Sequence, residues 1–395
     1  MDIQDGPPFP WHLGVFDAHC HPTDTMSSIP EIPRMKARVL TVMSTRPQDQ
    51  DLVANAAAGD IGLTAGDIHD LSNADNPTRF LPSFGHHPWF SHLLFSPFQF
   101  PSCTTLTPSQ ATTHYRTVLT PPPTDDFISH LPPPISLTDF LSQTRSRLSS
   151  HPLALVGEIG LDRAFHLPES WDDAALECRD QELTPGGREG RRLSKHQVSM
   201  EHQKEILLAQ LRLAGEMGRA VSVHGVRAPG VLYETLSGLW KGWERKSRRQ
   251  MEREAKSRQG QAEEGGRGGT REDQGEGGKR PFPPRICLHS YSGPAETVAM
   301  YVDLKVPVDV YFSFSMVINF TGPQEKKAEE ALRKVPDERV LVESDLHTAG
   351  ERMDGYLEDG VRRICKVKGW GLEEGVRILG ENWKRFIFGQ KETLT

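Results

Sequence analysis

The segment LALVGEIGLD, residues 153–162, is apolar and small throughout except for Glu158 and the closing Asp162. A short apolar run of this kind, bounded by polar residues, reads as a strand buried on both faces, as in a parallel sheet covered by helices. A carboxylate inside such a strand is costly to bury unless something positive answers it. These ten residues therefore predict both a buried parallel sheet and a positive charge facing Glu158.

Seven further runs have the same character. They are GVFDAH (14–19), RVLTVMS (38–44), RFLPSFGHH (79–87), AVSVHG (220–225), RICLHSYSG (285–293), VYFSFSMV (310–317) and RVLVESDLH (339–347). Helical patterns lie between several of them. The clearest is 197–218, where Ile206, Leu207, Gln210, Leu211 and Ala214 recur at helical spacing and Gly218 supplies the stop. Others cover 293–304, 322–335 and 372–388. Strands alternating with helices predict an α/β fold, a (β/α)8 TIM barrel formed by the chain 1–395 as one domain. The doubly wound open sheet is the competing arrangement.

Three segments interrupt the pattern and read as disordered or irregular insertions. Residues 91–135 are rich in Pro, Ser and Thr, 166–195 are polar, and 241–283 are charged, Gly-rich and nearly free of aliphatics. The third is too poor in apolar surface to offset the entropy of ordering, so its Gly-rich half is expected to be disordered. Its basic first half reads as a solvated extension rather than a nucleic-acid contact.

The polar residues at the strand ends carry the chemistry, because the C-terminal rim is where all the strands of a barrel converge. His19 and His21 are one residue apart in an extended segment, so both imidazoles face the same way. His224 ends one run, His289 another, and Asp345 follows a third. With Glu158 they form a mixed imidazole and carboxylate set without thiolate, suited to Zn, Mn or Mg. Six such groups exceed the needs of one tetrahedral ion. Two divalent ions, roughly 3.5–4 Å apart and sharing a carboxylate, are therefore expected, with Glu158 as the candidate bridge.

Composition limits the alternatives. Lys and Arg number 46 against 53 acidic residues, a formal charge of -7, with an isoelectric point near 6.2. This excludes a globally basic nucleic-acid coat, though not a local basic cleft. The five cysteines have no CxxC spacing, which argues against a thiolate zinc site and suits a reducing compartment. With no long apolar run and no signal-like beginning, no membrane association is expected and the location is expected to be cytoplasmic, nuclear or both.

The ordered set FDAHCHP, GHHPW, VGEIGLD, VSVHGVRAPG, LHSYSG, YFSFS, VESD and ENWKRFIFG resembles the TatD family of metal-dependent deoxyribonucleases, from residue 15 to 389. The resemblance implies that His19, His21, Glu158 and Asp345 hold one ion and that Glu158, His224 and His289 hold the other. It implies phosphodiester hydrolysis, often 3'-to-5' on single-stranded DNA, with RNA a further candidate. Asp345 would then serve as general base, and Glu158 and Asp345 would be the catalytic carboxylates. His87, Asp162 and Arg163 would lie near the substrate, and Asn382 and Arg385 would be structural. The sequence departs from the family after Asp345, where DLHTAGERMDG replaces a short Ala-Pro-Tyr-like segment and adds His347. The insertions are similar to those of fungal members, some named for binding a subunit of a cell-cycle ubiquitin ligase, which implies a possible protein partner. Two rival functions follow: an amidohydrolase-type small-molecule hydrolase, and a non-catalytic scaffold of such a cell-cycle complex. Glu158, where many amidohydrolase-type barrels carry a bridging lysine, favours the nuclease.

Overall fold

A computed structural model describes residues 7–71, 73, 75–246 and 280–389. Its eight principal strands are β1 (Phe16–Cys20), β2 (Val39–Met43), β3 (Arg79–Ser83), β4 (Val156–Asp162), β5 (Val221–Val226), β6 (Arg285–Leu288), β7 (Asp309–Phe314) and β8 (Val340–Val342). Each falls within or beside one of the eight apolar runs. Two all-parallel ladders run β1-β2-β3 and β4-β5-β6-β7-β8. The ladders do not merge into one ring, but both seams are bonded. Leu155 pairs with Ser83 beside β3 and β4, where Phe84 N donates to Leu155 O at 3.0 Å. At the other seam Asp345 N donates to His19 O at 3.0 Å and His21 N to Leu346 O at 2.8 Å.

The order in space thus follows the order in the chain, and the first strand meets the last. A doubly wound sheet would place its first strand in the interior and reverse direction there. The packing agrees with a barrel. One buried apolar cluster takes Phe16, Val39, Leu81, Leu155, Ala220, Cys287, Tyr311 and Leu341, one residue from each strand or its threshold, together with Trp383 and Phe386. Such a layer forms only when eight strands turn a face toward a common axis.

The helices are α1 (Pro47–Ala57), α2 (Pro108–Val118), α3 (Leu137–Ser150), α4 (Met200–Met217), α5 (Pro229–Trp240), α6 (Ala295–Tyr301), α7 (Glu325–Lys334), α8 (Glu351–Lys368) and α9 (Leu372–Phe388), with shorter helical turns elsewhere. Helix α4 starts where Ser199 accepts a hydrogen bond from His202 N and stops at Gly218 in a left-handed conformation. It begins later than periodicity predicts because Gln197 and Val198 pair with Thr120 and Leu119 instead. Helix α8 buries Met353, Leu357, Val361 and Ile364 on one face, although Gly355 and Gly360 obscure it in the sequence. A Cβ at Gly360 would lie 3.2 Å from Val342 Cγ2, so the glycine is where this helix approaches the sheet.

The first insertion is not irregular. Thr107 and Gln110 form a capping box at the start of α2, and His114, Tyr115 and Val118 are buried beneath it. The second, 166–195, has only a five-residue helix, Asp173–Glu177, and is tied at its tip to the loops after β1 and β2. Thr184 N donates to Asp24 O at 2.8 Å, and Arg46 Nη1 donates to Pro185 O at 3.3 Å. Of the third, 247–279, which includes the Gly-rich half for which disorder is expected, lies outside the described residues.

Buried histidines hold the first insertion together and join it to helix α4. His114 Nε2 lies 2.8 Å from His92 O, and His202 Nε2 lies 2.9 Å from Ser91 O. Burial drives His86 and His92 down to about 3 and His114 to about 4. Between those values and the unfolded value near 6.5, the unfolded chain binds protons that the folded chain refuses. Stability is therefore retained above about pH 6.5 and lost as pH falls toward 4. The melting temperature is expected to drop steeply across that window, and proteolysis should then open the segment 91–135 first. A flat melting temperature from pH 6.5 to 4 would contradict this.

Candidate metal centre and its surroundings

Four strand ends and two loops bring the ligand types together. The backbone turns sharply there: Ser290 and Asp345 have φ of +38° and +55°, in the left-handed region. Non-glycine residues in this region carry strain that functional sites commonly hold. At Gly160, φ is +154° and a Cβ would meet His224 O at 2.1 Å, so only glycine lets β4 approach β5 here.

Glu158 stands between two groups of imidazoles. Its Oε2 lies 3.5 Å from His19 Nε2 and 3.3 Å from His21 Nε2. Asp345 Oδ1 completes that side at 3.9 and 3.7 Å from the same two nitrogens. Glu158 Oε1 lies 2.7 Å from His289 Nε2, 2.9 Å from His224 Nδ1 and 3.1 Å from His87 Nε2. Each side holds two ring nitrogens in close approach, 3.0 Å for His19 and His21, and 3.2 Å for His224 and His289. Two lone pairs at such a distance need a proton or a cation between them. The donor set fits divalent ions. His19, His21 and Asp345 bring three donor atoms within 4.8 Å of one another, as do His87, Glu158 and His224, and these are groups that could hold metal ions. The division implied by the resemblance adds Glu158 to the first and takes His289 in place of His87 in the second.

The electrostatics respond to the same crowding. Burial opposes ionisation of Glu158, but His87, His289 and His19 outweigh it and hold its carboxyl well below the usual range. Burial likewise pulls His21 down, and the contact with Glu158 overrides it, raising the imidazole to about 9. His289 is raised well above its usual value against the same burial penalty, by Glu158 and Glu343. For His19 burial wins and the value falls. This is the positive charge that the apolar strand around Glu158 required.

Behind these groups stand further carboxylates. Asp162 Oδ2 lies 3.0 Å from His224 Nε2 and accepts from Trp89 Nε1 at 2.6 Å, while its Oδ1 accepts from Ala164 N at 2.6 Å and Phe165 N at 3.0 Å. Asp162 thereby orients His224 and the adjoining loop through both of its oxygens. Asp162→Asn is expected to lower metal affinity and turnover about 10–100-fold, the usual cost of losing a carboxylate behind a metal-binding histidine. An unchanged affinity in a titration of metal-stripped protein would remove that role.

Glu343 is the residue that sequence reasoning missed. It is fully buried, accepts from Ser290 N at 2.8 Å and Ser290 Oγ at 2.5 Å, and lies 3.6 Å from His289 Nδ1. Its signal was available: a carboxylate in the apolar run RVLVES, the same anomaly as Glu158. Asp17 does similar work at the β1–β8 seam, accepting from Ser344 N and His19 N, each at 3.0 Å. Arg163 is exposed at the end of β4. His347 is exposed too, paired with Asp24 Oδ2 at 2.7 Å and stacked 5.5 Å from His21. Asn382 Nδ2 donates to Asp337 O and Val340 O, at the opposite end of the barrel.

The model of the family described as TatD related DNase matches residues 16–388. The chain belongs to this family. Among curated relatives, the Cut9-interacting protein scn1 of Schizosaccharomyces pombe is 35% identical over 373 residues, 94% of this chain and 98% of that protein. An uncharacterized deoxyribonuclease of Saccharomyces cerevisiae, YMR262W, is 23% identical over 339 residues, 84% of this chain and 83% of that protein. Among solved structures, the TatD homologue YJJV of Escherichia coli has a TM-score of 0.51 at 15% identity, covering 96% of this chain and 99% of its own. An uncharacterized amidohydrolase from S. cerevisiae has a TM-score of 0.52 at 11% identity, covering 95% and 99%. Both likenesses bear on the fold, which is the TIM barrel of TatD proteins. The family to which the chain belongs is one of hydrolases described as DNases. Among its described residues no helix is long and apolar enough to cross a membrane.

Proposed function

We propose that this TatD-family protein is a two-metal phosphodiesterase that degrades single-stranded DNA from its 3' end. The observation that carries the reading is the division of labour at Glu158, whose two carboxylate oxygens face separate groups of imidazoles, His19 and His21 on one side and His87, His224 and His289 on the other. When bound, a pair of Mg, Mn or Zn ions supplies Lewis acidity toward a phosphoryl oxygen and toward water. The chain's own groups do the rest. Asp345 accepts the proton of the attacking water. His87 accepts from Trp89 N at its Nδ1, so its Nε2 bears the proton. That proton faces Glu158 Oε1, 3.1 Å away, and with Glu158 engaged by the ions it would be the one offered to the leaving oxygen. Arg163 supplies charge for a substrate phosphate.

A second reading rests on the name of the S. pombe relative, which implies a protein partner reached through the insertions, and the two functions are compatible. The deciding experiment is digestion of end-labelled single-stranded DNA by metal-reconstituted protein beside Asp345→Ala and a chelator control. Metal-dependent shortening from the 3' end, lost in both controls, is the expected result. Bound metal without cleavage would turn the assignment toward a small-molecule hydrolase, and protein without metal affinity toward a scaffold.

A further inference from the structure

Next to the metal centre lies a pair of rings that the hydrolytic groups do not use. Trp89 and Phe165 are stacked, with centroids 4.4 Å apart and planes 11° from parallel. Both are half-buried. Trp89 also meets His87 edge-on at 4.7 Å and His224 at 6.1 Å. It is held in place through its indole N–H, and the Phe165 backbone is held by the same carboxylate, Asp162. The stack is therefore rigidly joined to the group that orients His224.

Two arginines sit on the same pair of strand ends. Arg163 follows β4 and Arg227 follows β5, and Arg163 N donates to Val226 O at 3.1 Å, which sets the two side by side. Both are exposed, and neither makes an ion pair among the described residues. Arg227 has φ of +51°, so its backbone is held in the left-handed region rather than in the strand it ends.

We propose that Phe165, backed by Trp89, is a stacking platform for an unpaired nucleobase, and that Arg227 with Arg163 takes the adjoining phosphate. A flat ring two residues from Arg163, with a second arginine on the neighbouring strand end, matches the alternation of base and phosphate along a single strand. The base must be unstacked to use the platform, so duplex DNA is a poor substrate. The inference rests on the nucleic-acid reading above and adds the base as the feature recognised.

The test compares oligothymidylate with an abasic strand of equal length, in binding by fluorescence anisotropy and in turnover, using the full chain loaded with Mn. Wild type is expected to bind oligothymidylate roughly tenfold more tightly than the abasic strand. Phe165→Ala should erase that difference by weakening only the oligothymidylate complex, raising KM with kcat nearly unchanged, and Phe165→Tyr should restore it. Arg227→Asn, which tolerates the left-handed backbone, should weaken both strands alike. Equal binding of the two strands by wild type, or an equal effect of Phe165→Ala on both, overturns the platform. Base-dependent binding without cleavage would uphold the platform while removing the nuclease assignment, so the two failures are distinguishable.

Discussion

Glu158→Gln is expected to lower hydrolysis at least about a thousandfold, the scale on which removal of a directly acting group is felt in a hydrolytic site. The substitution keeps the side chain's volume, so the strand packing around it survives. It removes the charge and replaces an acceptor with an amide donor, aimed at imidazole nitrogens that themselves need an anion or a cation. Since Oε2 faces His19 and His21 and Oε1 faces His224, His289 and His87, neither orientation of the amide serves both sides. Metal content measured after dialysis should fall from two equivalents, and end-labelled DNA should persist. Two tightly held ions with wild-type turnover would sink the bridging assignment.

The same variant reads out the electrostatics without metal. His21 is raised to about 9 by its contact with Glu158, so that pairing stabilises the metal-free fold fully below the unfolded value near 6.5 and is lost as pH rises through about 9. Metal-free Glu158→Gln should therefore melt below metal-free wild type at pH 6, and the gap should narrow as the pH approaches and passes 9.

The candidate ligands were legible because burial makes them conspicuous. His19, Glu158, His224 and His289 are polar residues in or directly after apolar runs, and a barrel gathers such ends at one rim. The supporting groups were harder to read for a physical reason. The contact of Asp162 with Trp89 joins residues 73 positions apart, and that of Asp17 with Ser344 joins residues 327 apart. Spacing along the chain does not reveal such pairings. Helix α8 was hidden by its two glycines, and α2 by a Pro, Ser and Thr content that suggested a loop although Thr107 and Gln110 are cap residues. Glu343 was overlooked although its setting repeats that of Glu158. An unexplained carboxylate in an apolar strand marks the surroundings of a metal centre as well as its ligands.

Trp383→Ala is expected to cost about 3–5 kcal/mol of stability, the range for deleting a large buried aromatic. Trp383 is 1% exposed, stacks on Phe16 with centroids 4.6 Å apart, and donates from Nε1 to Thr41 Oγ1 at 3.1 Å. It belongs to α9, which crosses the N-terminal ends of the strands: Asn382 bonds the backbone entering β8, and Arg285 Nε at the start of β6 donates to Phe386 O. The ring thus seals the floor of the barrel, beneath the layer that takes one residue from each strand. Removing it opens a cavity against Phe16 and leaves the Thr41 hydroxyl without its donor. Denaturant unfolding should show the loss as a lower midpoint with little change in slope. Trp383→Phe, which keeps most of the volume and loses only the hydrogen bond, should cost much less. Because the candidate ligands lie at the opposite rim, metal affinity and kcat measured well below the melting temperature should stay near wild type. A barrel assigns stability to one end and chemistry to the other, so a Trp383→Ala protein that remains folded yet no longer binds metal would show that the two ends are coupled through the strands.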